Sequence, residues 1–360
     1  MSNHARGKCK VTNLVCGGTL MKKRDYYFDN AKILLIFLVV FGHFLQSYIE
    51  TSSFISFLYK FIYTFHMPAF ILISGFFAKG IYEKGYIAKI TKKLIIPYIL
   101  FQIAYAVFYY FLHSKDTFKL ELFQPHWSLW FLISLFCWNI MLLAFSRMKP
   151  RVALTIALLA GLGAGYFDWI STYFSLSRTV VFFPFFLAGY LLSKKHFKEL
   201  VQSRAKVASL LVMLIVAIGI LVFPDLNEKW FFGSKAYSEF ENAEMFGMLQ
   251  RAGIYIVQFT MTACFFAFVP RRQFFFTRWG KNTLYVYLLH GFIVRTFRGS
   301  DLEGYVDQVQ AFPLLLVVSL LLTALLSSKF VTSITQPIIE LKWSKLKHAA
   351  NQQRNEYSSS

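Results

Sequence analysis

Ten apolar runs, most of them close to twenty residues long, set the limits on what this 360-residue chain can fold into. They fall at roughly 31–49, 54–78, 94–112, 127–146, 152–167, 179–193, 207–223, 252–269, 282–297 and 312–330. A helix needs about 20 apolar residues to cross a hydrocarbon core of about 30 Å. Within that core every backbone polar group must be bonded internally, which leaves helices as the natural spanning element for such runs. Composition agrees: 56% of the residues are hydrophobic and 16% charged, where a soluble chain carries about a quarter charged. The expected fold is therefore all-α, a polytopic membrane protein of about ten transmembrane helices with both termini cytoplasmic. A tail over 1–25, one integral-membrane domain over 26–330 and a tail over 331–360 complete the expected organisation.

A formal net charge of +20 invites a nucleic-acid reading, but the charges are placed otherwise. With a cytoplasmic N-terminus, the inner segments 1–30, 79–93, 147–151, 194–206, 270–281 and 329–360 hold 28 of the 38 Lys and Arg residues. The outer loops hold only Lys115, Lys119, Arg178, Lys229, Lys235, Arg251 and Arg298. Such alternation is what the positive-inside rule demands. The charge marks topology, and no nucleic-acid partner is expected.

The four cysteines suggest neither a disulfide framework nor a metal site, since Cys137 and Cys264 fall in spans while Cys9 and Cys16 lie in the N-terminal tail. Leu14-Val15-Cys16-Gly17 has the look of a lipoprotein cleavage site, but no apolar stretch precedes it, so a signal peptide is not expected. Residues 1–20 show no periodicity, and Met21-Lys22-Lys23-Arg24 reads as a natural start. The longest outer loop, 224–251, carries Glu239, Glu241, Glu244 and several aromatics. It either covers the outer mouth or is a solvated loop. The tail after Phe330 is polar and reads as partly disordered. No internal repeat is visible.

His43 lies inside the first span, in FLVVFGHFLQSY, where an ionisable ring is costly and by default functional. Lys32 precedes it by eleven residues, a net rotation of about 20° and a rise of about 16 Å on one helix. Both side chains then share a face, with Lys32 near the cytoplasmic surface. A snorkelling Lys32 and a packed, hydrogen-bonded His43 are the plainer alternatives. In the second span TFHMPAFILISGF places His66 about 18 Å from the outer end, within two turns of the level of His43. Pro68, Ser74 and Gly75 allow that helix to kink, which is tolerated only against protein or a polar cavity.

Lys79, Lys84, Lys89, Lys92 and Lys93 crowd the loop before the third span. They satisfy topology, or they gather a phosphate-bearing ligand. His126-Trp127 opens the fourth span, and NTLYVYLLHGF puts Asn282, Tyr285 and His290 in the ninth, with Arg295 near its outer end. No phosphate-binding glycine loop, dinucleotide fingerprint or HExxH zinc motif occurs, and no acidic residue lies deep in a span. Histidine is the one obvious intramembrane base.

Six segments carry a resemblance: YFDNAKILLIFLVVFGHF, HMPAFILISGFFAKG, KKLIIPYILF, HWSLWFLISLF, FPFFLAGYLL and NTLYVYLLHGFIV. In this order, from residue 27 to 294, they resemble the acyltransferase 3 family of integral-membrane acyltransferases, and within it the fucose 4-O-acetylase-like branch. The family typically has an arginine ten intervening residues before its first-span histidine. His43 matches the histidine, and Lys32 stands at the arginine position, keeping the charge but not the bidentate fork. Lys89, Lys92, Lys93 and Pro97 match the family's second basic motif loosely.

The resemblance implies an O-acyltransferase, in first place an O-acetyltransferase of the bacterial plasma membrane. Its donor would be acetyl-CoA or another acyl-CoA, used as a substrate, with no permanently bound cofactor and no metal. Its acceptor would be a hydroxyl of a cell-surface glycan or lipid-linked saccharide, with membrane lipid and glycan-synthesis enzymes as further partners. His43 and His66 are then the catalytic candidates, with Lys32, Lys89, Lys92 and Lys93 for the donor and His126, Trp127, Tyr285 and His290 for the acceptor. His43 would act as general base or as a transient acyl carrier. A polysaccharide exporter or flippase is the rival reading, and a non-catalytic scaffold a third; missing inverted repeats and buried carboxylates weigh against the exporter.

Overall fold

The computed structural model describes residues 25–112, 118, 120–170, 173–240 and 243–340. Cys9, Cys16, the 21–24 run, Lys115, Lys119, Glu241, the side chain of Glu244 and the tail from 341 onward lie outside the described residues. Every regular element among those described is helical. The chain runs α1 (Tyr26–Leu45), α2 (Ser53–Tyr63), α3 (His66–Phe76), α4 (Tyr86–Ile90), α5 (Ile96–Leu112), α6 (Trp130–Phe145), α7 (Pro150–Gly163) and α8 (Leu176–Leu191). It continues as α9 (Lys194–Leu200), α10 (Ser203–Val222), α11 (Ala243–Phe268), α12 (Thr283–Arg298), α13 (Asp301–Gln308), α14 (Phe312–Leu326) and α15 (Lys329–Ile339).

Seven of the resulting segments are long and apolar enough to cross a bilayer, and α14 with α15 makes an eighth if that pair, bent by 60°, is one span. The chain is a multi-pass membrane protein, with fewer full-length spans than the ten apolar runs suggested. Run 152–167 becomes the short α7 and a closing 3-10 turn, and run 282–297 becomes α12, only 16 residues long and carrying Arg295 and Arg298. Run 312–330 breaks at Ser327–Ser328, where Ser328 caps α15 by accepting from the Val331 amide at 3.3 Å. The chain past Phe330 is thus helical as far as Ile339, which is buried.

The helix α1 is the central strut. Between Ile33 and Gly42 its sequence is apolar on every side, as suits a helix surrounded by others, and Leu35, Ile36 and Val40 are fully buried. It packs on α3, α12 and α14. By contrast α10, equally apolar, buries only Ser209 and Ile220 and lies on α2 and α11, so its outer face is left for lipid. The closest approach in the bundle is between α3 and α8. A Cβ at Gly75 would stand 1.9 Å from the Phe186 carbonyl oxygen, and one at Gly189 would stand 1.9 Å from that of Leu72. Only glycines let two backbones meet so closely, the small-residue contact that holds membrane helices without a hydrophobic driving force.

One end of the bundle, which carries the basic loops, is polar, and the start of α1 is well bonded there. Asn30 is wholly buried at the start of α1. Its amide donates to the Pro270 and Arg272 carbonyls, both at 2.8 Å, and accepts from Thr277 at 2.6 Å. The Tyr27 hydroxyl donates to the Phe266 carbonyl at 2.7 Å. The YFDN stretch is therefore an anchor for the 270–281 connection.

Candidate active site

The second span breaks in its middle, and that break places His66. Proline has no N–H, so Pro68 leaves the Thr64 carbonyl four residues back without its helical donor. The helix stops at Tyr63, Phe65 takes φ −138° and ψ −28°, and α3 restarts at His66. The His66 ring donates from Nδ1 to the Ile62 carbonyl at 3.0 Å, which leaves Nε2 as the nitrogen for the interior. Tyr63 meets the same ring edge to face, with centroids 4.4 Å apart.

His43 sits two residues before the end of α1, at the centre of a ring cluster. Trp127 packs on it at 4.2 Å between centroids, and His290 of α12 lies on it at 5.5 Å with planes 23° apart. His290 donates from Nδ1 to the Val286 carbonyl at 2.9 Å, so its Nε2 is a bare acceptor. That Nε2 and the Nδ1 of His43 are both buried with no hydrogen-bond partner among the described residues. Buried polar atoms are normally bonded, so two orphans on adjacent rings mark a site where strain or function outweighs satisfaction.

Trp127 is itself held in an unusual conformation, with φ at 40°. The left-handed region costs a bulky residue about 1–3 kcal/mol and persists where the surroundings over-determine it. Those surroundings are visible: the Arg295 guanidinium lies 5.0 Å above the indole, and Arg298 lies 5.8 Å from it. A Cβ at Gly291 would come within 2.7 Å of the indole, so only glycine lets α12 press against it. Arg298 also donates to the His43 carbonyl and, at 3.0 Å, to Gln46.

A cavity of about 140 Å³ opens beside this cluster. His43, His66, Trp127, Ser128 and Met67 form its deep wall, with Trp130, Phe182 and Arg178 on one side. Gln46, Tyr59, Tyr63, Phe231 and Phe232 form the other. A second, narrower space of about 30 Å³ continues from His43 toward the basic end, between Ile36, Val39, Phe70, Phe131 and Tyr287. His43, Met67, Ser128 and Trp130 belong to both spaces. His43 thus stands where a polar, aromatic cavity meets an apolar crevice. The crevice follows the face of α1 that carries Ile36 and Val39, one turn beyond Lys32.

The far-end loop 224–240 covers the cavity. The Lys60 ammonium, buried in α2, donates to the Pro224 carbonyl at 2.5 Å, and Ser177 donates to that of Gly233 at 2.8 Å. Gln258 donates to the Phe231 carbonyl at 3.3 Å. Tyr237 donates to the Leu162 carbonyl at 2.7 Å, and burial pushes its phenol up to about 12, so it remains a donor. The loop is a folded cover that puts Phe231 and Phe232 into the cavity.

The sequence candidates divide between this site and elsewhere. His43, His66, Trp127 and His290 come together. Lys32 is paired with Asp29 at 2.9 Å and lies 5.7 Å from the Phe77 ring, at the basic end of the same α1 face. Lys89, Lys92 and Lys93 are exposed on α4 and the π-turn 91–95 and line none of the cavities described here. Tyr285 points its hydroxyl to Glu340 at 2.7 Å, away from the cavity. His126 lies behind Trp127, its ring on Tyr109 at 5.3 Å and its amide donating to Gln102 at 3.0 Å.

Sequence reasoning missed Arg178, Ser128, Trp130, Gln46, Tyr59 and Tyr63 as cavity residues, and Tyr287 as the tyrosine beside His290. For Tyr287 a signal was present: it precedes His290 by three residues and so shares its helix face, whereas Tyr285 precedes by five and does not. A basin of about 610 Å³ at the basic end was also missed; Tyr27, Phe28, Lys194, Lys198 and Arg271 line it, and Lys194 is paired with Asp25 at 2.8 Å.

Comparison with known proteins adds an identity to this geometry. A family model described as an acyltransferase domain, of the acyltransferase 3 family, matches residues 25–328. Nodulation protein NolL of Sinorhizobium fredii (strain NBRC 101917 / NGR234) is 29% identical over 313 residues, covering 78% of this chain and 80% of that protein. Nodulation protein NolL of Mesorhizobium japonicum (strain LMG 29417 / CECT 9101 / MAFF 303099) is 31% identical over 159 residues, 40% of each chain. No solved structure matches. The chain belongs to the acyltransferase 3 family, and it is a multi-pass membrane enzyme that transfers acyl groups other than aminoacyl groups.

Proposed function

We propose that this enzyme moves an acetyl group from acetyl-CoA to a hydroxyl of a cell-surface glycan or lipid-linked saccharide, with His43 in the reacting position. The observation that carries the reading is the place of His43, an intramembrane imidazole with an unsatisfied nitrogen where two cavities of opposite character meet. The basic end faces the cytoplasm of a bacterial plasma membrane, in accord with the positive-inside rule. CoA would approach from that end, its phosphates near Lys32, Lys79 and the basin of Lys194, Lys198 and Arg271. Its acyl arm would follow the apolar crevice to His43. The acceptor would occupy the aromatic cavity under the 224–240 cover.

In direct transfer, Nε2 of His43 takes the acceptor proton as the hydroxyl oxygen attacks the thioester carbonyl. The carbon–sulfur bond breaks, and the CoA thiolate leaves with a proton. That role requires the other ring nitrogen, Nδ1, to hold its proton. The orphaned Nε2 of His290 is the acceptor placed to receive it. The two rings stand 5.5 Å apart between centroids and are not bonded to each other in the unliganded protein, so the role requires the bond to form when substrate is present. Catalytic bonds are often long in an unliganded enzyme and tighten with substrate. His290 is on this account a positioning residue that fixes the tautomer of His43 and stabilises its charged form.

The test follows labelled acetyl from acetyl-CoA into surface glycan in cells producing the wild type or His43→Ala at equal membrane levels. Loss of incorporation is expected. Incorporation that matches the wild type would remove His43 from the mechanism.

A further inference from the structure

The far half of the bundle treats its arginines in a consistent way. Arg178, Arg251, Arg295 and Arg298 each lie within 6 Å of an aromatic ring centroid, and the ion pairs among the described residues all use lysine. Three of the four also have protein hydrogen-bond work or sit behind Trp127: Arg251 donates to the Lys235 carbonyl, Arg298 to His43 and Gln46, and Arg295 stacks against Trp127 and Tyr109. Arg178 differs. It lines the cavity, its guanidinium lies 5.0 Å from the Trp130 ring centroid, and it has no hydrogen-bond acceptor and no carboxylate partner among the described residues. None of the described residues that line the cavity is acidic.

The position of Arg178 in its helix makes the absence of a counter-ion more informative. It is the third residue of α8, in the first turn, where the helix dipole disfavours a cation. The Ser175 side chain does not cap that turn, and Ser175 itself has φ 51°. A cation here is unfavourable for the helix alone, and the Trp130 ring is the one partner it has among the described residues; an anion beside it would make it favourable. A stack on Trp130 leaves the N–H edge of the guanidinium open, the edge that grips a carboxylate or phosphate with two parallel bonds.

We propose that Arg178 is an acceptor-recognition residue, and that the acceptor carries an oxyanion, a carboxylate or a phosphate, close to the hydroxyl that is acylated. The site deepens the acyl-transfer reading and rests on it: the sugar lies on Tyr59, Tyr63 and Trp130 with its hydroxyl toward His43, and the oxyanion reaches Arg178. The carboxylate of an acidic sugar and the phosphate that joins a sugar to a lipid carrier share this chemistry.

Three probes with one sugar separate these sources: methyl glucoside, methyl glucuronide and glucose 1-phosphate, titrated into the purified enzyme in lipid nanodiscs. At least one anionic probe should bind about tenfold or more tighter than the neutral one, as a charge-assisted pair predicts. A glucuronide preference points to an acidic sugar and a sugar-phosphate preference to a lipid-linked one. In Arg178→Met the preference should fall to about one, and Arg178→Lys should keep part of it. Thermal unfolding, measured on the same samples, should match the wild type in both variants, and acceptor-independent hydrolysis of acetyl-CoA is followed in the wild type. Equal binding of all three probes by the wild type overturns the proposal, as does a preference that survives Arg178→Met. Absence of acetyl-CoA hydrolysis in the wild type would instead count against the acyl-transfer reading itself.

Discussion

The two ends of α1 hold polar residues in opposite states. At the basic end Asn30 makes three hydrogen bonds, Tyr27 is bonded, and Lys32 is paired with Asp29. At the far end the Nδ1 of His43, the Nε2 of His290, the Tyr59 hydroxyl, the Ser128 hydroxyl and the Nε of Arg295 and Arg298 are buried without partners. Burial of an unbonded polar group costs about 1–3 kcal/mol, so the far end is maintained at the expense of stability. On the proposed reading, the difference separates polar residues that build the protein from those that meet a ligand. It also says which substitutions should harm folding and which should harm turnover.

The largest expected effect is that of His43→Ala, a loss of turnover of about 10²–10⁴-fold with thermal stability kept or raised, checked by acyl-transfer rate and unfolding temperature together. Next, His290→Ala should lower kcat by about tenfold to a hundredfold with little change in donor KM. His290→Gln, whose amide oxygen can accept near the Nε2 position, should recover part of that loss; a structural role would give no such recovery. Gly291→Ala should push Trp127 from His43 and destabilise the protein by about 1–3 kcal/mol, visible as a lower unfolding temperature and a reduced rate. Asn30→Ala is the reverse of His43→Ala: about 1–3 kcal/mol of stability lost through the unpaired groups it leaves, with the activity of the protein that remains folded close to normal. A smaller effect belongs to Lys32→Ala, a rise of a few-fold in donor KM without a change in kcat. Lys89→Ala should leave both constants unchanged.

Much of this was legible in the sequence because the membrane makes polar residues conspicuous. His43 and His66 stood out in apolar runs, Pro68 foretold the break that orients His66, and the Lys/Arg alternation set the expected side of each loop. Other residues were hidden for physical reasons. Arg178 lies at the edge of a run, where a charge that marks topology and one proposed to bind a ligand look alike. Tyr59 and Tyr63 resemble any aromatic residues near a membrane surface. Tyr285 was favoured over Tyr287 although helical register favours the latter. Lys89, Lys92 and Lys93 form a dense basic cluster, yet charge density along a chain does not fix a concave site; the basin joins Lys194, Lys198 and Arg271 from distant segments. The exact count of spans is not settled by length and composition, because α7 and α12 are shorter than the runs that carry them, and an apolar run can be filled by turns and caps as well as by helix.

The central claim is that His43 is the group on which acyl transfer turns. Its most direct test is a single-turnover experiment in which purified wild type, His43→Ala and Asn30→Ala in nanodiscs each meet less than one equivalent of labelled acetyl-CoA. The account predicts release of label to acceptor or water by the wild type and by folded Asn30→Ala at similar rates, and at least a hundredfold slower release by His43→Ala. Equal rates for wild type and His43→Ala would contradict it.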